Sequence, residues 1–286
     1  MNNIKNNFSS IWVSHSSISD FLKCPRLYFL HNVYKDIRTN HKITLMNPYL
    51  ALGQTVHEVV ESLSVLRAED RLKHSLLDKY NKAWEKVTGE LGGFYDSRQE
   101  KMFKDRGDKM LQRIIDNPTF ILNKAVKLFS PDSLPPRYYL SQEENILLCG
   151  KIDWLEHLPQ DDALHIIDFK TGKNEEQESS LQLPIYYLLV KNLQKRNIKK
   201  ASYWYLDKDS KPVEAHLPDP EEAYKKIFAV AMKIKQTRIT RSYNCPRNGC
   251  YGCKPYEAIL NKEAKFVGAS DYQDIYIINS ENSYPN

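Results

Sequence analysis

The stretch from Arg137 to Phe169 limits the fold more than any other part of this 286-residue sequence. It holds three apolar runs, Arg137 to Leu140, Asn145 to Leu155 and Ala163 to Phe169, with Glu143-Glu144-Asn145 and Pro159-Gln160-Asp161-Asp162 as the polar turns between them. Short apolar runs bounded by turn residues read as β-strands joined in hairpins. Leu181 to Leu193 then reads as a helix capped by Ser179 or Ser180, with Pro184 tolerated in its first turn. A strand at Ala201 to Leu206, a short strand near Val213 and a helix from Pro220 to about Lys235 follow. Three strands, a helix and further strands predict an α/β fold: a mixed central sheet flanked by helices.

Upstream of the connector marked by Pro131, Pro135 and Pro136 the chain is mainly helical. Leu52, Val56, Val59, Val60, Leu63 and Leu66 recur at helical spacing. Ile11 to Val13 predicts a short strand, and Ser17 with Asp20 the cap of a helix that Pro25 interrupts. The expected division is 1–130, helical, carrying Cys24 and His57; 131–240, the α/β core; and 241–286, a Cys-rich segment and a Tyr- and Asn-rich tail. The first ten residues are expected to be disordered.

With 41 Lys+Arg against 36 Asp+Glu, the net charge of +5 permits an acidic partner without demanding one. No run reaches the ~20 apolar residues of a membrane span, and MNNIKNNFSS contains no secretory apolar region. The expectation is a cytoplasmic protein with no membrane partner and reduced cysteines. Cys245, Cys250 and Cys253 crowd together, Cys24 lies far upstream, and Cys149, inside a strand pattern, reads as a buried inert thiol.

Asp168 and Lys170 stand two apart, so on a strand they share a face while Phe169 points away. Asp153, on the preceding apolar run, can meet them there. Converging carboxylates suit a hard cation such as Mg²⁺, and a lysine beside it can hold and deprotonate a water or neutralise charge growing on a phosphate. The plainer alternative is a solvent-facing pair of acids with Lys170 as their ion-pair partner. Gly53, His57 and Glu61 share one helix face, as do Gln182 and Tyr186 on the helix after Lys170. Taken alone, His57 is a boundary histidine and Gln182 and Tyr186 are ordinary helix positions.

Taken in order, Ser17-x-x-Asp20-Phe21-Leu22-x-Cys24-Pro25, Gly53-x-x-x-His57-x-x-x-Glu61, Gly150-x-x-Asp153, Asp168-Phe169-Lys170-Thr171-Gly172 and Gln182-x-x-x-Tyr186 resemble RecB-like nucleases of the PD-(D/E)XK superfamily. These include the nuclease domain of AddB and the CRISPR-adaptation exonucleases. The resemblance runs from about residue 14 to 255. It implies a restriction-endonuclease-like core that hydrolyses phosphodiester bonds in DNA, as an exonuclease in repair, recombination or end processing. It implies that His57, Asp153, Asp168 and the Phe169 carbonyl bind Mg²⁺ or Mn²⁺, that Lys170 assists the attacking water, and that Gln182 and Tyr186 contact DNA or brace the site. Glu61 stands as a candidate just outside the metal ligands.

Iron–sulfur members of that family tie one upstream cysteine to three downstream, as Cys24 and Cys245, Cys250 and Cys253 can. The expectation is a [4Fe–4S] cluster, with structural zinc and then unligated thiols as alternatives. The spacing departs from the family: a four-residue gap precedes the close pair, and Ile259 falls where the extra cysteine belongs. For DNA contact, Lys191, Lys195, Arg196, Lys199 and Lys200, and a second group from Lys225 to Arg241, are weighed against being solvated faces. No Gly-x-x-x-x-Gly-Lys-[Ser/Thr] loop occurs, so a helicase or other repair subunit would act in trans. The competing readings are a non-catalytic DNA-end-binding subunit of a helicase–nuclease complex and a zinc-stabilised interaction protein.

Overall fold

The computed structural model describes residues 10–278. The expected disorder of the first residues, and most of the expected tail, lie outside that range. Strand β1 (Ile11–Val13) leads into α1 (His15–Lys23). The cap of α1 is Ser14, three residues earlier than expected. Its Oγ accepts the Ser17 N–H at 3.3 Å while Ser17 Oγ accepts the Ser14 N–H at 2.8 Å, a reciprocal capping box. Pro25 starts α2 (Pro25–Tyr28), where a missing N–H costs nothing, and one π-helical turn follows at Phe29–Val33.

Strand β2 (Lys42–Leu45), then α3 (Pro48–Leu63), α4 (Leu76–Trp84), α5 (Ser97–Asp116) and α6 (Thr119–Leu122) complete the first part. Next come β3 (Arg137–Ser141), β4 (Ile146–Cys149), β5 (Trp154–Leu158), β6 (Ala163–Lys170), α7 (Gln182–Leu193), β7 (Ile198–Tyr205) and β8 (Val213–Ala215). Helix α8 (Pro220–Thr240), α9 (Lys254–Leu260), β9 (Lys265–Ala269) and β10 (Gln273–Ile277) follow.

The mixed sheet is β5-β6-β7-β8: β5 and β6 form an antiparallel hairpin, and α7 carries the chain over to β7, which runs parallel to β6. Alternation along β6 divides its side chains between two buried clusters. Ile167 and Phe169, with Trp154 and Trp204, pack against α3, α4 and α5. Leu164 and Ile166, with Leu155 and Ala201, pack against α7 and α8. The fold is therefore α/β and restriction-endonuclease-like, with the sheet buried between helical layers.

Two further expectations need correction. Asn145 to Leu155 is not one strand: β4 pairs with β1 and β3, whereas β5 belongs to the four-stranded sheet. The chain turns between them over α7, where a Cβ on Gly150 would come within 2.9 Å of Leu189 Cδ1. The region after residue 241 is also more than a Cys-rich segment and tail. Strand β10 pairs with β9 and runs parallel to β2, forming a sheet that joins Lys42–Leu45 to Gln273–Ile277.

Candidate metal centre and cysteine cluster

Trp154 lies opposite Ile167 in the β5–β6 register, so one step further Asp153 faces Asp168. Asp153 Oδ2 accepts the Phe169 N–H at 2.9 Å, and its Oδ1 lies 3.3 Å from His57 Nδ1. His57 reaches the hairpin because Gly53, one turn earlier on α3, lets the helix approach Thr171: a Cβ there would lie 3.3 Å from Thr171 Oγ1. The Phe169 ring is buried among Phe120 and Trp204 and lies edge-on to the His57 ring, with centroids 6.5 Å apart, so the polar groups it offers the site are those of its backbone.

Asp168 is 1% exposed. Gln182 Nε2 donates to its Oδ1 at 2.7 Å and to the Tyr186 hydroxyl at 3.2 Å. Asp168 Oδ2 receives no hydrogen bond; Lys170 Nζ is its charge partner at 3.0 Å. Lys170 also donates to Gln182 Oε1 and pairs with Glu176 Oε2 at 2.9 Å. Glu176 was not anticipated. It sits in the polar loop after β6, among Glu175, Gln177 and Glu178, and no periodicity distinguishes it.

Burial, then the nearby Asp153 charge, push Asp168 up to about 7 despite the opposing pull of Lys170. Burial acts on Asp153 the same way, but the His57 charge and hydrogen bond and the Phe169 N–H outweigh it and hold Asp153 below the usual carboxylate range. His57 is raised, burial being overcome by Asp153, Asp168 and Glu61. Lys170 is also raised, burial being overcome by Asp168 and Glu176. Burial pushes the Tyr186 phenol well up.

Ligand atoms of His57, Glu61 and Asp153 lie within 4.8 Å of one another. Together with the buried, hydrogen-bond-free Asp168 Oδ2, this imidazole–carboxylate set fits a divalent cation. Glu61 is ion-paired with Lys151. The centre borders an open groove of about 680 Å³ lined by Gln54, Glu58, Ser62, Lys127 and Lys151.

A separate relay occupies the other face of β6. His165 bonds Ser202 Oγ through Nε2 and Glu156 Oε2 through Nδ1, each at 2.8 Å. With Ser202 2% exposed, no substrate can reach it, and the relay satisfies buried polar groups within the sheet.

Cys24, Cys245, Cys250 and Cys253 come together with their Sγ atoms within 4.8 Å of one another. Cys24 ends α1, and the other three lie on the turn before α9. The N–H groups of Arg247 and Gly249 draw Cys245 down to about 6, whereas burial pushes Cys253 up to about 12. Cys149 is buried away from both centres, with its thiol pushed up to about 11 by burial.

The first basic run is not brought to the site. Arg196 pairs with Asp162 at 2.6 Å, Lys199 with Asp161 at 2.6 Å and Lys200 with Glu214 at 3.6 Å. Asp161 and Asp162 precede β6, at least six residues or roughly 20 Å along the strand from Asp168. In the second group, Lys226 pairs with Glu222 and Lys235 with Glu144. No helix among the described residues is long and apolar enough to cross a membrane.

Residues 12–258 match the sequence profile of the PD-(D/E)XK nuclease superfamily, a span that takes in both centres. No curated protein matches the chain.

Proposed function

The chain belongs to the PD-(D/E)XK nuclease superfamily, and from that premise we propose that it is a RecB-like, metal-dependent DNA exonuclease of repair, recombination or end processing, served by any helicase in trans. The observation that carries the proposal is the β5–β6 register: it sets Asp153 against Asp168, with Lys170 on the same face and His57 against Asp153, beside an open groove. A non-catalytic DNA-binding subunit has no need of that set.

Mg²⁺ or Mn²⁺ would be held by His57, Asp153, Asp168 and the Phe169 carbonyl, with Glu61 adjoining. When bound, it supplies Lewis-acid polarisation of the phosphate and a more acidic water. Lys170 is kept as an ammonium by Asp168 and Glu176, which suits it to neutralise charge building on the attacked phosphate and to hold the water by its lone pair. Gln182 fixes the geometry from both sides, accepting from Lys170 and donating to Asp168. Tyr186, kept as a phenol, braces Gln182.

The test is digestion of end-labelled linear and closed circular DNA with Mg²⁺, Mn²⁺ or EDTA. Release of labelled nucleotides from linear DNA only, abolished by EDTA, is expected. Cleavage of circles would reject the exonuclease, and metal-independent or absent cleavage would reject the nuclease.

A further inference from the structure

We propose that Cys24, Cys245, Cys250 and Cys253 hold a single tetrahedral Zn²⁺ ion in place of the four-iron cluster that likeness to RecB-like nucleases implies. The distinction lies in the size of the sulfur cage. A zinc ion with Zn–S bonds of ~2.3 Å sets its four sulfurs roughly 3.8 Å apart. A [4Fe–4S] cluster places an iron and inorganic sulfides between its centre and each thiolate, which spreads the cysteine sulfurs to roughly 6 Å or more. Here all four Sγ atoms lie within 4.8 Å of one another, and those of Cys250 and Cys253 are 3.6 Å apart. That spacing is nearer to the cage of one ion than to that of a cluster.

The surroundings leave it little room to expand. Leu27 and Leu30 are buried against the sulfurs, with Phe29, Tyr256 and Leu260 packed around them. At Gly252 even an added Cβ would lie 3.0 Å from Leu27 Cδ2 and 3.7 Å from Cys250 Sγ. Across the cage, Arg26 on α2 grips Glu257 on α9 through two hydrogen bonds of 2.5 and 3.1 Å, fixing the spacing of the two helices that flank it.

The order of the cysteines agrees with the size of the cage. Cys245 and the close pair are linked by a tight turn in which Asn248 and Gly249 take φ of 49° and 109°. That turn brings the Cys250 N–H to 3.3 Å from Cys253 Sγ, and such bonds offset part of the charge of four thiolates around a divalent ion. Ile259, where the family's further cysteine belongs, is instead a buried apolar residue. The remaining downstream ligand, Cys245, stands before the close pair rather than beyond it, joined to it by that tight turn.

The experiment is metal analysis of the full chain, expressed in iron- and cysteine-supplemented cells and purified without oxygen. About one zinc per chain, colourless protein and no acid-labile sulfide are expected. Metal-free protein would then be offered Fe²⁺ with sulfide, Zn²⁺ or Co²⁺ separately. Zinc should restore the melting temperature, and Co²⁺ should give the intense visible bands of a tetrahedral tetrathiolate site. Cys245→Ser, at the most exposed ligand, should weaken those bands while leaving the protein folded. If that variant fails to fold, the wild-type cobalt spectrum still decides. A brown protein with about four irons, labile sulfide and broad absorption near ~400 nm would overturn the proposal. So would metal-free protein of undiminished stability. Neither result depends on whether the chain cleaves DNA.

Discussion

Asp168 combines near-complete burial, an oxygen without a hydrogen bond and a carboxyl raised to about 7, against 3.8 for the ordinary group. An acid raised in the folded state stabilises the fold in its protonated form, and that contribution is lost as pH rises from about 4 to 7. A cation at this position must displace the proton, and His57, also raised, competes in the same direction. The rise in melting temperature produced by Mn²⁺ should therefore be larger at pH 8 than at pH 5.5. A pH-independent rise, or none, would remove Asp168 and His57 from the metal. Lys170 is tested by activity: Lys170→Ala should lose about 10²–10⁴ in cleavage rate while retaining DNA binding. Wild-type rates would sink its assignment. The sequence made Asp168 and Lys170 legible because spacing by two fixes a strand face whatever the surroundings. It did not reveal Glu176, since a residue recruited from an irregular loop leaves no period to read.

At the scale of elements, hairpins and amphipathic helices were readable from local pattern, and the errors fell where tertiary contact decides. Ile146–Cys149 and Trp154–Leu158 are separated only by Gly150-Lys151-Ile152-Asp153, with no turn sequence of the kind that marks the other hairpins, and packing over α7 divides them between sheets. The basic run at residues 191–200 shows the limit of charge counting: Arg196 and Lys199 are neutralised by Asp162 and Asp161 at the far end of β6 from the candidate centre. Replacing Lys195, Arg196 and Lys199 by alanine should leave the salt dependence of DNA binding unchanged. Replacing Lys127, which lines the groove beside Asp153, should lower the log–log slope by about 0.7–0.9 for a phosphate left without its cation. The opposite pattern, measured as binding constants across a salt series, would move the DNA path to the other end of the sheet.

At the scale of the whole molecule, the early and late parts of the described chain meet through the cysteines, which their one-plus-three distribution announced, and again through the β2–β10 pairing, which nothing announced. Each of those strands is only four or five residues long, and they meet across more than 200 residues of chain, beyond the reach of any local pattern. The pairing is locked by Asp274, 3% exposed, which accepts from Thr39 Oγ1 at 2.6 Å and pairs with His41 Nδ1 at 2.9 Å. Met46, just after β2, and Ile277 of β10 pack in the same buried cluster as Leu52 and Val56 of α3, the helix that carries His57. The second closure therefore supports the base of the candidate site without contributing a group to it. Asp274→Ala removes the hydrogen bonds to Thr39 and His41, which water can reach, and should cost about 0.5–1.5 kcal/mol for each, lowering the melting temperature by several degrees. Cleavage measured well below that temperature, and its Mn²⁺ requirement, should stay at wild-type values, because none of the candidate metal ligands has moved. An unchanged melting temperature would mean that the sheet adds nothing to stability. A changed Mn²⁺ requirement in folded protein would mean that β10 positions α3 and His57 directly.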